Sequence, residues 1–209
     1  MSKKHLKKWA TSIFQYTDEH FSIHDDLSPS ESVNSSLSLI ETLVEIGELF
    51  SKPFLRHDNL DVLRFEHNPQ EIHVQSEKLE TDIYFGFDYK GFYLSNRLTF
   101  QEHFKSTNDD FWIKFISLFE MGDVEILESY SSDSESFKLF EKQTTYNKSQ
   151  ILKSFSSIVF QIAEEDVMGH LDIEVRINES ENFEELIKIA QEIFSTFYRL
   201  NYLLYKRRQ

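Results

Sequence analysis

The stretch Asp82-Ile83-Tyr84-Phe85-Gly86-Phe87-Asp88-Tyr89-Lys90-Gly91-Phe92-Tyr93-Leu94-Ser95-Asn96-Arg97 decides the fold class. In its first half Ile83, Phe85 and Phe87 alternate with Tyr84, Gly86 and Asp88. That two-residue period sends successive side chains to opposite faces of a strand. Tyr89-Lys90-Gly91 then supplies a turn, and residues 92–97 return as a second strand. The stretch predicts a β-hairpin with one apolar face.

Working outward, residues 60–67 and 71–77 read as two short strands joined by a turn at His67-Asn68-Pro69-Gln70. Residues 124–130 and 137–142 predict a second hairpin around the polar loop 131–136. At 171–177, Leu171, Ile173, Val175 and Ile177 alternate with Asp172, Glu174 and Arg176, which predicts a strand with one wet face.

Between the strands the period changes to that of a helix. Leu6, Trp9, Ile13 and Tyr16 mark a first helix over 5–19. Ser28-Pro29-Ser30-Glu31 carries a cap, a proline suited to the first turn and a glutamate that completes a capping box. The helix it opens shows Val33, Leu37, Ile40, Val44 and Gly47 on one stripe, widened by Leu43, Ile46 and Phe50, and Pro53 stops it. Asn108-Asp109-Asp110 begins another, with cap and carboxylates where the helix dipole favours them. Its apolar face is Phe111, Trp112, Phe115, Ile116 and Phe119, and Gly122 ends it. A further helix is expected from Ser149 to Gly169. The last runs over 180–206 with Phe183, Leu186, Ile187, Ala190, Phe194, Phe197 and Leu204. The expected order is αα-ββββ-α-ββ-α-β-α, an α+β chain of antiparallel hairpins packed against helices. Its 209 residues fit one domain, read as a helix and loop (1–27), a core (28–168) and a terminal strand and helix (169–209).

Composition narrows the function classes. Twenty phenylalanines can build a core, and five glycines with three prolines argue against a disordered chain. With no cysteine, disulfides, thiolate zinc sites and cysteine nucleophiles are excluded. No apolar run is long enough to span a bilayer. The basic start is followed by Thr11, Ser12, Gln15 and Thr17 rather than an apolar segment, so no secretory signal is expected and the cytoplasm is the expected compartment.

The net charge is −14. Lys3, Lys4, Lys7, Lys8, Lys206, Arg207 and Arg208 sit at the two ends; the remaining 15 basic side chains face 36 acidic ones, a balance of −21. Such a body repels nucleic acid and anionic lipid and attracts basic proteins.

From 28 to about 165 the element order resembles the class I type III secretion chaperones and the YbjN-like proteins. The resemblance is carried by IYFGFDYKGFYLSNRL (83–98), NDDFWIKFISLFE (108–120), VEILESYSSDSESFKLFEK (124–142) and SQILKSFSSIVFQIAEE (149–165). It implies a small acidic protein that dimerises and binds another protein rather than turning over a substrate. The extra first helix, an extra strand and the strand–helix pair after Gly169 depart from that pattern.

Candidate chemistry is sparse. His20 and His24 share a face if the first helix continues, with Asp25 or Asp26 as an oxygen ligand, but Ser22 and the capping box point to a polar loop instead. Arg97 and His103 match the Arg-x4–6-His spacing of HEPN-type ribonucleases, yet Arg97 ends a strand. His57, His67, His73 and His170 are scattered beside turns. There is no G-x-S-x-G elbow, no glycine-rich phosphate loop and no Glu-x-x-His pair, so no catalytic, metal or cofactor residue is assigned. The expectation is a non-catalytic acidic module that masks, neutralises or chaperones a basic protein, in the manner of an immunity protein or secretion chaperone. Asp109, Asp110, Glu164, Glu165, Asp166, Asp172 and Glu174 are its expected contact acids, with Tyr84, Tyr89, Phe92 and Tyr93 as ring anchors. The alternatives are a nucleic-acid mimic and a metal-dependent or HEPN-like hydrolase.

Overall fold

The computed structural model describes residues 2–21, 29–65, 68–98, 107–128, 136–140, 171–177 and 182–208. Two helices, α1 (Lys3–Phe21) and α2 (Pro29–Ser51), precede four strands, β1 (Leu60–Phe65), β2 (Asn68–Ser76), β3 (Thr81–Asp88) and β4 (Gly91–Leu98). Then come α3 (Asp109–Ser117), a 3-10 turn (Leu118–Glu120), β5 (Asp123–Glu128), β6 (Ser136–Phe140), β7 (Leu171–Ile177) and α4 (Phe183–Arg208). The fold is α+β in the expected order; the helix expected over 149–169 lies outside the described residues.

Among the described residues seven strands form one antiparallel sheet in the order β1-β2-β3-β4-β7-β5-β6. The strand that the family resemblance leaves outside its span is thus central. β7 pairs with β4 on one side and β5 on the other, joining the two hairpin systems. Its partner residues Val175 and Ile173 are completely buried.

One face of the sheet is apolar. Ile72, Val74, Ile83, Phe85, Phe87, Leu94, Ile173 and Val175 are buried there. α2 and α4 pack on it, with Phe50 of α2 ringed by Phe85 and Phe194 at 5.3 and 5.7 Å. Aromatic pairs at these separations add to the burial of their area. α1 lies on α2 through Trp9, Ile13 and Tyr16, and α3 packs against α4 through the helical side of the same core. Glu45 of α2 clamps α1, accepting from Lys8 Nζ and Trp9 Nε1, each at 2.6 Å. Those two donors hold its carboxyl below the usual range.

Three local expectations are corrected. The buried stripe of α2 is Leu39, Leu43, Ile46 and Phe50, while Leu37 is 53% exposed. Leu43, Ile46 and Phe50 are buried as expected, and Gly47 lies against Ile72 and Val62, too close for a Cβ. The correction concerns the start of the stripe, where Leu39 takes the place of Leu37. The turn after β1 is shorter than expected: Asn68 already pairs with Phe65, and Pro69 and Gln70 fall in a break of register before Ile72 meets Arg64. Proline, which lacks an N–H, fits such an irregularity. Gly122 does more than end a helix, since a Cβ there would clash with the Arg176 carbonyl. The Asn108 cap is present, its side chain accepting from Phe111 N.

Candidate functional site: the polar face of the sheet

Antiparallel partners share a face of the sheet, so the register defines what lies opposite the helices. Three rows cross that face. The first runs Leu63, His73, Tyr84, Ser95, Glu174, Glu125; the second Glu71, Gly86, Tyr93, Arg176, Asp123; the third Asp61, Gln75, Asp82, Arg97, Asp172. Asp88 lies at its rim, bound by Arg176. Among the described side chains the face gathers eight carboxylates against two guanidiniums.

Two linked networks order these groups. In one, His73 Nε2 lies 2.6 Å from Asp82 Oδ1, and Tyr84 stacks on the His73 ring at 4.8 Å. Arg97 Nη1 approaches the other Asp82 oxygen at 3.8 Å, while Arg97 Nε donates to Asp172 at 3.3 Å. The His73 contact, opposed by burial and aided by Arg97, holds the Asp82 carboxyl below its ordinary value.

In the other, Arg176 reaches Asp88 with both terminal nitrogens, at 2.9 and 3.0 Å. Its Nε lies 2.7 Å from Glu174, and its guanidinium sits 5.2 Å above the Tyr93 ring. The Tyr93 hydroxyl donates to Glu71 at 2.7 Å. Burial pushes the carboxyls of Glu71 and Glu174 up, and Glu125 and Asp88 add to the effect at Glu174. Burial and the Glu71 carboxylate raise the Tyr93 phenol.

Of the expected contact acids, the described ones fall in two places. Asp172 and Glu174 are on this face, but Glu174 is only 7% exposed and faces Arg176 rather than water. The alternation of 171–177 identifies the face correctly; it cannot register that cross-strand neighbours bury it. Asp109 and Asp110 are exposed at the start of α3, in the helical layer. Glu164, Glu165 and Asp166 lie outside the described residues. Of the ring anchors, Tyr84 and Tyr93 belong to the polar face. Phe92 is turned to the core, and Tyr89 stands 77% exposed in the β3–β4 turn.

The catalytic alternatives find no support in the described geometry. His20 Nδ1 lies 3.1 Å from the Tyr16 carbonyl and its ring stacks on Tyr16; His24 and His103 lie outside the described residues. Arg97 is engaged by two aspartates. No group of three or more His, Asp or Glu among the described residues is placed to hold a metal ion. His73 is mid-strand, correcting its placement beside a turn. Its pairing with Asp82, like that of Arg97 with Asp172, was not visible in the sequence; the strict alternation of β3 and β7 was the only available signal.

Among the described residues no helix is long and apolar enough to cross a membrane. Compared with protein-family models, curated proteins and solved structures, the chain matches none of them.

Proposed function

We propose that the protein is a non-catalytic binding module whose polar sheet face docks a protein with a basic surface, as an immunity protein or secretion chaperone does. The observation that supports this reading is the excess of carboxylates on that face. Arg97 and Arg176 neutralise part of it, and they also pin the acids in place. A partner that presents arginines and lysines gains both steering and charge-assisted hydrogen bonds there. Asp61, Asp123 and Glu125 lie at its margins, and the charge of Glu125 acts on Glu174 and Arg176.

The test is affinity capture with the wild-type chain and with the triple variant Asp61→Asn, Asp123→Asn, Glu125→Gln. A stoichiometric basic partner that is held by the wild type, released as salt rises and lost by the variant supports the reading. No such partner, or one that both chains hold equally, defeats it.

A second reading, mimicry of a nucleic acid, draws on the pairs Asp123/Glu125 and Asp172/Glu174. Residues two apart on a strand repeat at roughly 6.8 Å, comparable to the spacing of phosphates along one strand. The interleaved arginines weigh against it. Competition by duplex DNA for the captured partner separates the two readings.

A further inference from the structure

The first helix opens against the charge pattern that later helices follow. α3 and α4 begin with Asp109, Asp110 and Glu184, Glu185, carboxylates at the positive end of the helix dipole. α1 has no acid in its first turn, and its first six residues include Lys3, Lys4, Lys7 and Lys8. Cations at that end oppose the dipole, and the pairs Lys3/Lys7 and Lys4/Lys8, four residues apart, repel each other. A chain with 36 acidic side chains to 22 basic ones favours lysines somewhere. Helix stability does not select this place for them.

Three of these lysines share an open groove of about 360 Å³ where α1 lies on α2. It is lined by Lys4, Lys7, Lys8, Thr11, Ser12 and Gln15 of α1 and by Ser38 of α2. The lining brings three ammoniums, three hydroxyls and one amide, and no carboxylate. Two acids of α2 act on the groove from outside its lining, and both act on Lys8: Glu45 accepts from its Nζ at 2.6 Å, and the charge of Glu41 reaches it. Among the described residues Lys4 and Lys7 form no ion pair. Ser12 Oγ and Ser38 Oγ lie 2.8 Å apart. One hydroxyl proton is used between them, which leaves the other to donate to a bound oxygen.

We propose that this groove is a binding site for a small phosphate-bearing anion. Its lining offers ammonium and hydroxyl donors together, with no carboxylate among them to compete. A phosphate group brings more charge and more acceptor oxygens than a single carboxylate, which matches that donor set. A volume of this order suits a small molecule. A long polyanion would also meet the acidic remainder of the chain, which repels it. The groove belongs to the helical layer and is opposite in sign to the polar sheet face, so it does not rest on the binding reading above.

The experiment is a titration of the isotope-labelled full chain with inorganic pyrophosphate at low salt, followed by amide chemical shifts, with acetate as control. Saturable shifts are expected at residues 4–15 and around Ser38. Lys4→Gln with Lys7→Gln should weaken binding about tenfold or more, the loss of at least one charge-assisted contact. Lys78→Gln with Lys206→Gln removes the same charge outside the groove and should leave binding unchanged. Equal affinity in the Lys4/Lys7 variant and the wild type would overturn the proposal. So would an equal loss in the Lys78/Lys206 variant, which would make the effect one of net charge alone. Shifts that fail to saturate, or that acetate reproduces, would overturn it as well. Each variant's amide spectrum reports whether it is folded.

Discussion

Tyr93 on β4 and Glu71 on β2 are joined by a 2.7 Å hydrogen bond that passes over the intervening strand β3. The residue beneath is Gly86, the cross-strand partner of both. A Cβ at Gly86 would lie 2.8 Å from the Tyr93 hydroxyl and 2.9 Å from the Gln70 carbonyl. The glycine is therefore required by the space above it.

Gly86→Ala should destabilise the fold by about 1–3 kcal/mol, the usual range for overpacking. Tyr93→Phe removes the same hydrogen bond without the clash. The two changes combined should cost less than their sum, because they act on one contact. Urea denaturation of the four chains measures this; strict additivity would show that Gly86 does not serve Tyr93.

Stability should have a maximum on the acid side of neutrality. Glu71 and Glu174 have folded pKa values raised above 4.5, so the native state holds more protons than the unfolded chain between 4.5 and those values. Stability then rises as pH falls through that window. Asp82 is the reverse: its folded pKa is depressed below 3.8, so its contribution is present above 3.8 and lost as pH falls through the lower value. Glu174→Gln should flatten the upper limb and Asp82→Asn the lower one. Thermal midpoints measured across pH 3 to 7 check both.

The core contains a polar pair. Asn201 of α4 donates to the side chain of Asn96 on β4 at 2.9 Å and to the Phe197 carbonyl at 3.1 Å, and both residues are fully buried. Among the described residues Asn96 Nδ2 and Asn201 Oδ1 have no hydrogen-bond partner. Asn201→Leu alone should cost about 1–3 kcal/mol, because Asn96 is then buried without its donor. Adding Asn96→Val should recover most of that loss, since no polar group is left to desolvate. If the double variant is no more stable than the single, the pair is not coupled.

Arg176→Lys keeps the charge yet cannot reproduce the two-nitrogen contact with Asp88 or the flat stacking on Tyr93. A loss of about 1 kcal/mol is expected, at the low end for charged hydrogen bonds because the pair is partly solvated. The Glu174 side-chain titration, followed by carbon-detected NMR, should move further up as its nearest cation becomes less well placed.

The elements themselves were legible because their signals are local. The alternation of 82–88 and of 171–177, the Asn108 cap and the apolar period of α4 each depend on residues close in sequence, and each element forms where it was read. The edge of the buried stripe of α2 was not legible, since Leu37 and Leu39 are equally apolar and only packing against α1 and the sheet buries the second and leaves the first exposed.

The candidate site was legible in part. Asp172 and Glu174 were seen as members of a polar face and Tyr93 as a ring anchor, but not their partners. Arg97 meets Asp172 across 75 residues, and Arg176 meets Asp88 across 88. Such neighbours exist only once strands are paired, because hydrogen-bond register is a relation between strands and leaves no mark on either one alone.

By itself, then, the sequence determined an acidic α+β chain, its element order and which side chains of each strand share a face. Tertiary structure alone decided that β7 enters between β4 and β5, and so which charges stand side by side. Placing that strand buries Glu174 against Arg176 and turns a row of solvated acids into a cross-braced surface.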